Sequence, residues 1–292
     1  MITELKKICE TKEDVDLTNY NTYKLSSVCY AITFPNNTDE LAKVIKIAKE
    51  YKTKWFILGN GSNVILPEYY DGLIIKLNNF NKCIISEDEV YVESGYMINK
   101  LALELSAKGL AGLEWASGIP GSIGGSIYGN AGAYGSSISE VIISCMVFDG
   151  KNIIELSKED MKFQYRHSLF KDNSNLIILS CRLKVIKSDI EELKTLITER
   201  TNKRMETQDL THPSCGSVFR NPEGLVAGKL IDDLGLKGYS INGAMISNKH
   251  ANFIINNGNA TSKDIIKLIN KIRREIKKNY NIDLVLEQEI IK

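Results

Sequence analysis

Leu58-Gly59-Asn60-Gly61-Ser62-Asn63-Val64 and Ala116-Ser117-Gly118-Ile119-Pro120-Gly121-Ser122-Ile123-Gly124-Gly125-Ser126-Ile127-Tyr128-Gly129-Asn130-Ala131-Gly132-Ala133-Tyr134-Gly135 decide how this chain is read. In the first, a short apolar run ends in two glycines that permit a tight turn. The backbone N–H groups exposed by such a turn form a nest for a phosphate, and Ser62 and Asn63 add side-chain donors. The tract is neither the GxGxxG dinucleotide fingerprint nor a nucleotide-triphosphatase loop, because no Gly-Lys-Ser/Thr follows. An ordinary strand-terminal turn is the competing reading of this tract alone. The second tract holds seven glycines among small residues. Each glycine costs folding entropy, so close approach of backbone to a flat or phosphorylated ligand is the physical reason to keep so many. Taken together, the two tracts predict a cofactor site, and a glycine-rich core crossing is the alternative.

Working outward, Asp39–Glu50 repeats Leu41, Val44, Ile45 and Ala48 at helical spacing. Strands are expected at 55–58 and 72–77, which makes the first eighty or so residues a small α/β unit. A strand at 90–94, a helix at 99–108 and the glycine tract follow, the tract read as a loop wall. Further strands are expected at 141–148, 152–156 across an Asp149-Gly150 hairpin signal, and 176–185. A charged helix over 189–205 leads to a last unit that ends in a helix at 262–278. Thr261 or Ser262 can cap that helix, and Asp264 lies in its favourable first turn. A strand over 284–291 closes the chain. The expected division is 1–78, 79–188 and 200–292.

The 292 residues are 43% hydrophobic and 25% charged, ordinary for a globular protein with a buried core. Lys and Arg number 37 against 36 Asp and Glu, so the global basicity of many nucleic-acid binders is absent. Lys271, Arg273, Arg274, Lys277 and Lys278 read as the solvated face of a helix, and no nucleic-acid partner is expected. The longest greasy stretch, 141–148, has strand length, and the N-terminus does not read as a signal peptide; no membrane insertion is expected. The six cysteines form no close pair, which predicts free thiols in a reducing cytoplasm. His167, His212 and their neighbours lack metal-ligand spacing, so no metal is expected.

Taken one at a time, the chemically interesting residues have plain readings. Arg166 reads as half of a surface ion pair, Ser217 as a turn-stabilising serine, and Glu287 and Glu289 as one polar strand face. His250 reads equally as a packed histidine or a ligand contact. Cys215 reads as a small packing residue.

The motifs change this when read in order. Asn21-Thr22, both glycine tracts, Tyr165-Arg166-His167-Ser168-Leu169-Phe170 and Pro213-Ser214-Cys215-Gly216-Ser217-Val218-Phe219-Arg220-Asn221-Pro222 lead the series. Ala227-Gly228-Lys229-Leu230-Ile231, Gly235-Leu236-Lys237-Gly238, Ser247-Asn248-Lys249-His250-Ala251-Asn252-Phe253 and Leu286-Glu287-Gln288-Glu289 complete it. Over almost its whole length the chain resembles UDP-N-acetylenolpyruvoylglucosamine reductase, in the shorter, second type of that family. The resemblance implies an α+β fold: a two-part FAD-binding region of the vanillyl-alcohol-oxidase kind plus an α/β substrate-binding domain. It implies bound FAD, NADPH as reductant, and UDP-N-acetylglucosamine enolpyruvate as the substrate reduced to UDP-N-acetylmuramate, a peptidoglycan precursor. It implies a cytoplasmic enzyme with no obligate protein partner.

It also implies roles. Arg166 would polarise the substrate carboxylate, Ser217 would be the general acid, and Glu289 would act near the carboxylate or in a proton relay. FAD would meet Gly59, Asn60, Gly61, Ser62, Asn63, Ser117, Gly118, Pro120, Gly121, Ser122, Gly124, Gly125, Asn130, Gly132 and Ala133. Tyr165, Lys229, Lys237, His250 and Asn252 would frame the UDP-sugar. Three departures stand out: Ser26-Ser27 replaces paired glycines, Asp209 stands where proline is common, and the tail after Glu289 lacks an arginine. The alternatives are another FAD-linked oxidoreductase with a different anionic substrate, and a nucleotide-sugar sensor without turnover.

Overall fold

The computed structural model describes residues 1–292. They form two compact units, each built from separate segments. The first comprises 1–13, 31–60 and 72–202, and the second 14–30, 61–71 and 203–292. The divisions expected along the chain, 1–78, 79–188 and 200–292, follow sequence order, whereas these units interleave.

The first unit contains a five-stranded antiparallel sheet. Its spatial order is Ile153–Ser157, Ile142–Phe148, Ile177–Lys184, Glu89–Glu93, Cys83–Ile85. The central strands alternate residues onto a core in which Val90, Val92, Cys145, Val147, Cys181 and Leu183 are fully buried. The Ile98–Ala107 helix adds Ile98, Leu101, Ala102 and Leu105, at helical spacing, to the same core. A second helix, Thr38–Glu50, starts at Asn37, whose side chain accepts the Glu40 N–H at 3.0 Å, and buries Leu41, Val44, Ile45, Ile47 and Ala48. After it in the chain, Trp55–Ile57 runs parallel to Tyr69–Ile75, pairing Phe56 with Ile74 and Ile57 with Ile75. The strands Glu10–Asp16, Val28–Phe34 and Tyr69–Ile75 are places where the chain passes from one unit to the other.

The second unit pairs Ser214–Ser217, Phe253–Asn256, Ala244–Ile246 and Ser240–Ile241, in that order, as an antiparallel sheet. The Ser262–Tyr280 helix covers it with Ile265, Leu268, Ile269, Ile272 and Ile276, all buried. A complete capping box starts this helix: Thr261 accepts the Asp264 N–H, and the Asp264 carboxylate accepts from the Thr261 N–H. Asn281, in the left-handed region at φ 56°, ends it. The basic residues near its end are largely engaged: Lys271 pairs with Glu275 at 2.8 Å, Lys277 with Asp283 at 2.7 Å, and Arg273 donates to the Leu284 carbonyl.

Two expectations need correction. The second glycine tract is not loop alone: it contains a helix at Ile123–Tyr128 and a short hairpin at Gly132–Ala133 and Ser136–Ser137. The tail is a strand only at Glu289–Ile290, which lies parallel to Val64–Ile65, with one isolated bridge from Leu286 to Phe219. A lone parallel partner and a single bridge leave the other tail residues outside any ladder.

Candidate active site

The first glycine loop begins where the parallel pair of strands ends. Leu58 N–H donates to the Ile75 carbonyl at 3.0 Å, and the chain then leaves the sheet. None of the five successive backbone N–H groups from Gly59 to Asn63 donates to an atom of the chain. A peptide donor without an acceptor in the chain can meet an anion, and Gly59 and Asn60 carry two such donors in the first unit. Gly61 sits at φ 67°, and a Cβ there would fall 2.1 Å from the Tyr20 carbonyl oxygen, so only glycine fits.

The two tracts meet within the first unit. Asn60 Nδ2 donates to the Pro120 carbonyl at 2.7 Å, and a Cβ on Gly59 would lie 3.0 Å from Ser122 Oγ. Ser122 caps the Ile123–Tyr128 helix by accepting the Gly125 N–H. Gly124 packs its α-carbon against Ser94 and donates its N–H to the Ser94 carbonyl at 2.8 Å. The Ser94 hydroxyl is buried and has no partner within the chain. Peptide donors without acceptors, and a buried hydroxyl without a partner beside Gly124, fit a phosphorylated cofactor.

Arg166 is bound to the same region. Gln164 and His167 exchange both backbone hydrogen bonds at 3.1 Å, which places Tyr165 and Arg166 at the tip of a tight turn. Arg166 has φ 56°, and its guanidinium donates to the Gly132 carbonyl at 2.7 Å and lies over the Tyr165 ring. Asn130 holds the turn from the other side through Nδ2 to the Gln164 carbonyl at 2.8 Å. A guanidinium held by carbonyls is fixed in direction while keeping its charge, as recognition of a carboxylate requires.

In the second unit, Ser217 ends the first strand of the antiparallel sheet, opposite Phe253 and after Gly216 at φ 68°. Gln288 is 3% exposed, and it ties this strand to the tail. Its Nε2 donates to the Cys215 and Gly216 carbonyls at 3.3 Å each, and its Oε1 accepts from the Tyr23 hydroxyl at 3.0 Å. Burial pushes the Tyr23 phenol well above its ordinary range, so it is a donor at neutral pH. Gln288 thus fixes the carbonyl just before Ser217 and the residue just before Glu289. Glu289 itself donates its N–H to the Asn63 carbonyl at 2.9 Å, and Asn63 Nδ2 returns to the Glu287 carbonyl.

Residues 208–291 match the model of the UDP-N-acetylenolpyruvoylglucosamine reductase C-terminal domain, and residues 30–155 match an FAD binding domain. The reductase of Bacillus licheniformis is 38% identical, over 100% of this chain and 98% of its own. This chain belongs to the UDP-N-acetylenolpyruvoylglucosamine reductase family. The Bacillus subtilis reductase is 37% identical over the same shares. The crystal structure of the reductase from Thermus caldophilus superposes with a TM-score of 0.83 at 30% identity, covering 97% of this chain and 99% of that one. The fold is therefore the expected FAD-binding region with a reductase C-terminal domain.

Ser117 donates to the Glu114 carbonyl at 3.0 Å. Asn252 is buried and pairs both ends of its amide with the Phe219 backbone, at 3.0 and 2.8 Å. His250 stacks on Phe253 at 4.3 Å between centroids, and its Nδ1 accepts the Asn252 N–H, which leaves the proton on Nε2. Burial lowers its pKa, so the ring is neutral at pH 7. Lys237 pairs with Asp232 at 2.6 Å, and Lys229 lies exposed on the Ala227–Asp233 helix. Cys215 is buried and its thiol is pushed up to about 11 by burial, which suits packing and not nucleophilic attack. The departures also have local roles: Ser27 donates to the Pro67 carbonyl at 2.6 Å, and Asp209 accepts from Thr211 and His212. No group of three or more His, Cys, Asp or Glu is placed to hold a metal.

Sequence reasoning missed Gln288, Ser94 and Lys76. Gln288 stands between two glutamates on the opposite face of the tail, so alternation alone marks it as inward. Lys76 extends an apolar run, Leu73-Ile74-Ile75, and a lysine in line with three buried residues is the signal that finds it.

Proposed function

We infer that this chain reduces UDP-N-acetylglucosamine enolpyruvate to UDP-N-acetylmuramate with FAD and NADPH, and so makes a peptidoglycan precursor. The observation that carries the reading is the pair of acceptor-free N–H groups at Gly59 and Asn60, where the two glycine tracts meet, on a chain that matches the reductase family end to end. FAD, when bound, supplies hydride relay from NADPH to the terminal alkene carbon of the enolpyruvyl group.

The protein's part is to hold and to protonate. Gly59–Asn63 offer peptide donors to the diphosphate, and Ser94 and Ser122 offer hydroxyls. Gly118, Gly121, Gly125 and Ala133 keep the neighbouring surface low. Arg166 pairs with the substrate carboxylate and offsets the negative charge that grows there as the double bond is reduced. Ser217 gives its hydroxyl proton to the carbon next to the carboxylate. Glu289 returns a proton to Ser217. Tyr165, Lys229, Lys237, His250 and Asn252 frame the UDP-sugar, the lysines toward its diphosphate. A cytoplasmic setting belongs to the same proposal; six unpaired cysteines support it. No helix is long and apolar enough to cross a membrane.

The test separates the half-reactions. Protein loaded with FAD is reduced by NADPH without oxygen, and the enolpyruvyl substrate is then mixed in while flavin absorbance is followed. Rapid return of the oxidised spectrum supports the reading. Reduction by NADPH followed by no response to the substrate rejects the assigned substrate.

A further inference from the structure

Lys76 is a buried charge in the first unit, just after the strand that pairs with Trp55–Ile57. It follows Leu73, Ile74 and Ile75, all fully buried, and is itself 5% exposed. The parallel register places it just beyond the Ile57–Ile75 pair, beside the point where Leu58 leads into the glycine loop. Its N–H donates to the Thr33 carbonyl at 2.9 Å, which fixes its backbone. Its ammonium donates to the carbonyl oxygen of Gly59. Burial pushes its pKa down to about 8, so the protonated form is held at a cost near neutral pH. A buried ammonium without a function is disfavoured, since an apolar residue of similar size fills the same space without desolvation.

The peptide that takes this ammonium is informative. The Gly59 carbonyl and the Asn60 N–H belong to one planar unit. A cation on the oxygen withdraws density from the nitrogen and makes the N–H a stronger donor, as in any chain of polarised hydrogen bonds. Asn60 N–H is the second of the five donors without an acceptor in the chain. The Asn60 side chain is fixed as well, through Nδ2 to the Pro120 carbonyl. The peptide plane is thus held by Lys76 on one side and by the Asn60 side chain on the other.

We propose that Lys76 is a positioning residue for the cofactor's diphosphate, orienting and polarising the Gly59–Asn60 peptide from behind so that its N–H meets a phosphate oxygen. This rests on the reading of Gly59–Asn63 as the diphosphate loop. The ammonium acts through the peptide and need not touch the cofactor.

The test compares wild type with Lys76→Met in flavin-free protein, titrating FAD, ADP and riboflavin by fluorescence and calorimetry. Loss of a charge-assisted bond predicts that K76M binds FAD and ADP roughly 10- to 100-fold more weakly. Riboflavin, which lacks phosphate, binds both proteins alike. The melting temperature of flavin-free K76M equals or exceeds that of wild type, because a buried charge has been removed. A merely structural lysine gives a different result: the variant melts earlier and loses FAD and riboflavin by similar factors. That result, or an unchanged FAD affinity, overturns the proposal. Should K76M not fold, Lys76→Gln takes its place with the same expectations. Failure of wild type itself to bind FAD refutes the diphosphate reading on which the proposal stands.

Discussion

Gln288→Leu provides a worked test of how the Ser217 strand is held. The substitution keeps the volume and removes three hydrogen bonds, one to the Tyr23 hydroxyl at 3.0 Å and two to the Cys215 and Gly216 carbonyls at 3.3 Å. At about 0.5–1.5 kcal/mol for each bond, with the long pair toward the low end, the total is about 2–3 kcal/mol. Tyr23→Phe deletes the hydroxyl and leaves Gln288 Oε1 without its partner, at about 1 kcal/mol. The double variant should then cost less than the sum of the singles by about 1 kcal/mol, because the two residues share one bond. Urea unfolding of flavin-loaded protein reads all four stabilities, with a constant m-value as the control for an unchanged native state. The function should follow. Loosening the Gly216 carbonyl frees Ser217, so reoxidation by the enolpyruvyl substrate slows by about tenfold or more, while reduction by NADPH is unaffected. Strict additivity of the two substitutions, or equal slowing of both half-reactions, would refute the strut assigned to Gln288.

Ser217→Ala should leave reduction by NADPH nearly intact and slow the second half-reaction by about 10²- to 10⁴-fold, measured by stopped flow. Gly61→Ala meets the Tyr20 carbonyl at 2.1 Å in a left-handed conformation, so it should lose more than about 2 kcal/mol of stability by urea unfolding, as well as measurable FAD binding. Thr261→Ala breaks the capping box of the long C-terminal helix and should cost about 1 kcal/mol by the same method, with turnover unchanged. For pH, the Lys76 pKa of about 8 in the folded protein lies below its ordinary 10.5. Between these values the unfolded chain binds more protons, so stability rises with pH. Flavin-free wild type should gain about 3 kcal/mol relative to Lys76→Met across that window, and no gain below pH 8.

The sequence made the glycine loop and the regular helices legible for one reason: their signals are local. The Ser262–Tyr280 helix announces itself by Ile265, Leu268, Ile269, Ile272 and Ile276 together with its cap. The order of motifs from Asn21 to Glu289 was enough to suggest the reductase family, which the full-length relatives then established. What local pattern could not show was pairing between distant segments. Glu289 lies parallel to Val64, 225 positions earlier in the chain, and Gln288 bonds residues more than seventy positions away. The short strands at 214–217, 240–241 and 244–246 have too few residues to display alternation, so only their partners define them. The interleaving of 14–30 and 61–71 with the C-terminal segment is likewise invisible to composition. What Lys76 does is not legible in the sequence, because its neighbours look like an ordinary buried strand and its meaning depends on the carbonyl of Gly59.

The most direct test is anaerobic incubation of the FAD-loaded protein with NADPH and UDP-N-acetylglucosamine enolpyruvate, with the nucleotide sugar recovered and weighed by mass spectrometry. The account predicts stoichiometric NADPH oxidation and a product heavier than the substrate by two hydrogens. NADPH oxidation that is indifferent to the substrate, with the enolpyruvyl sugar returned unchanged, would contradict it.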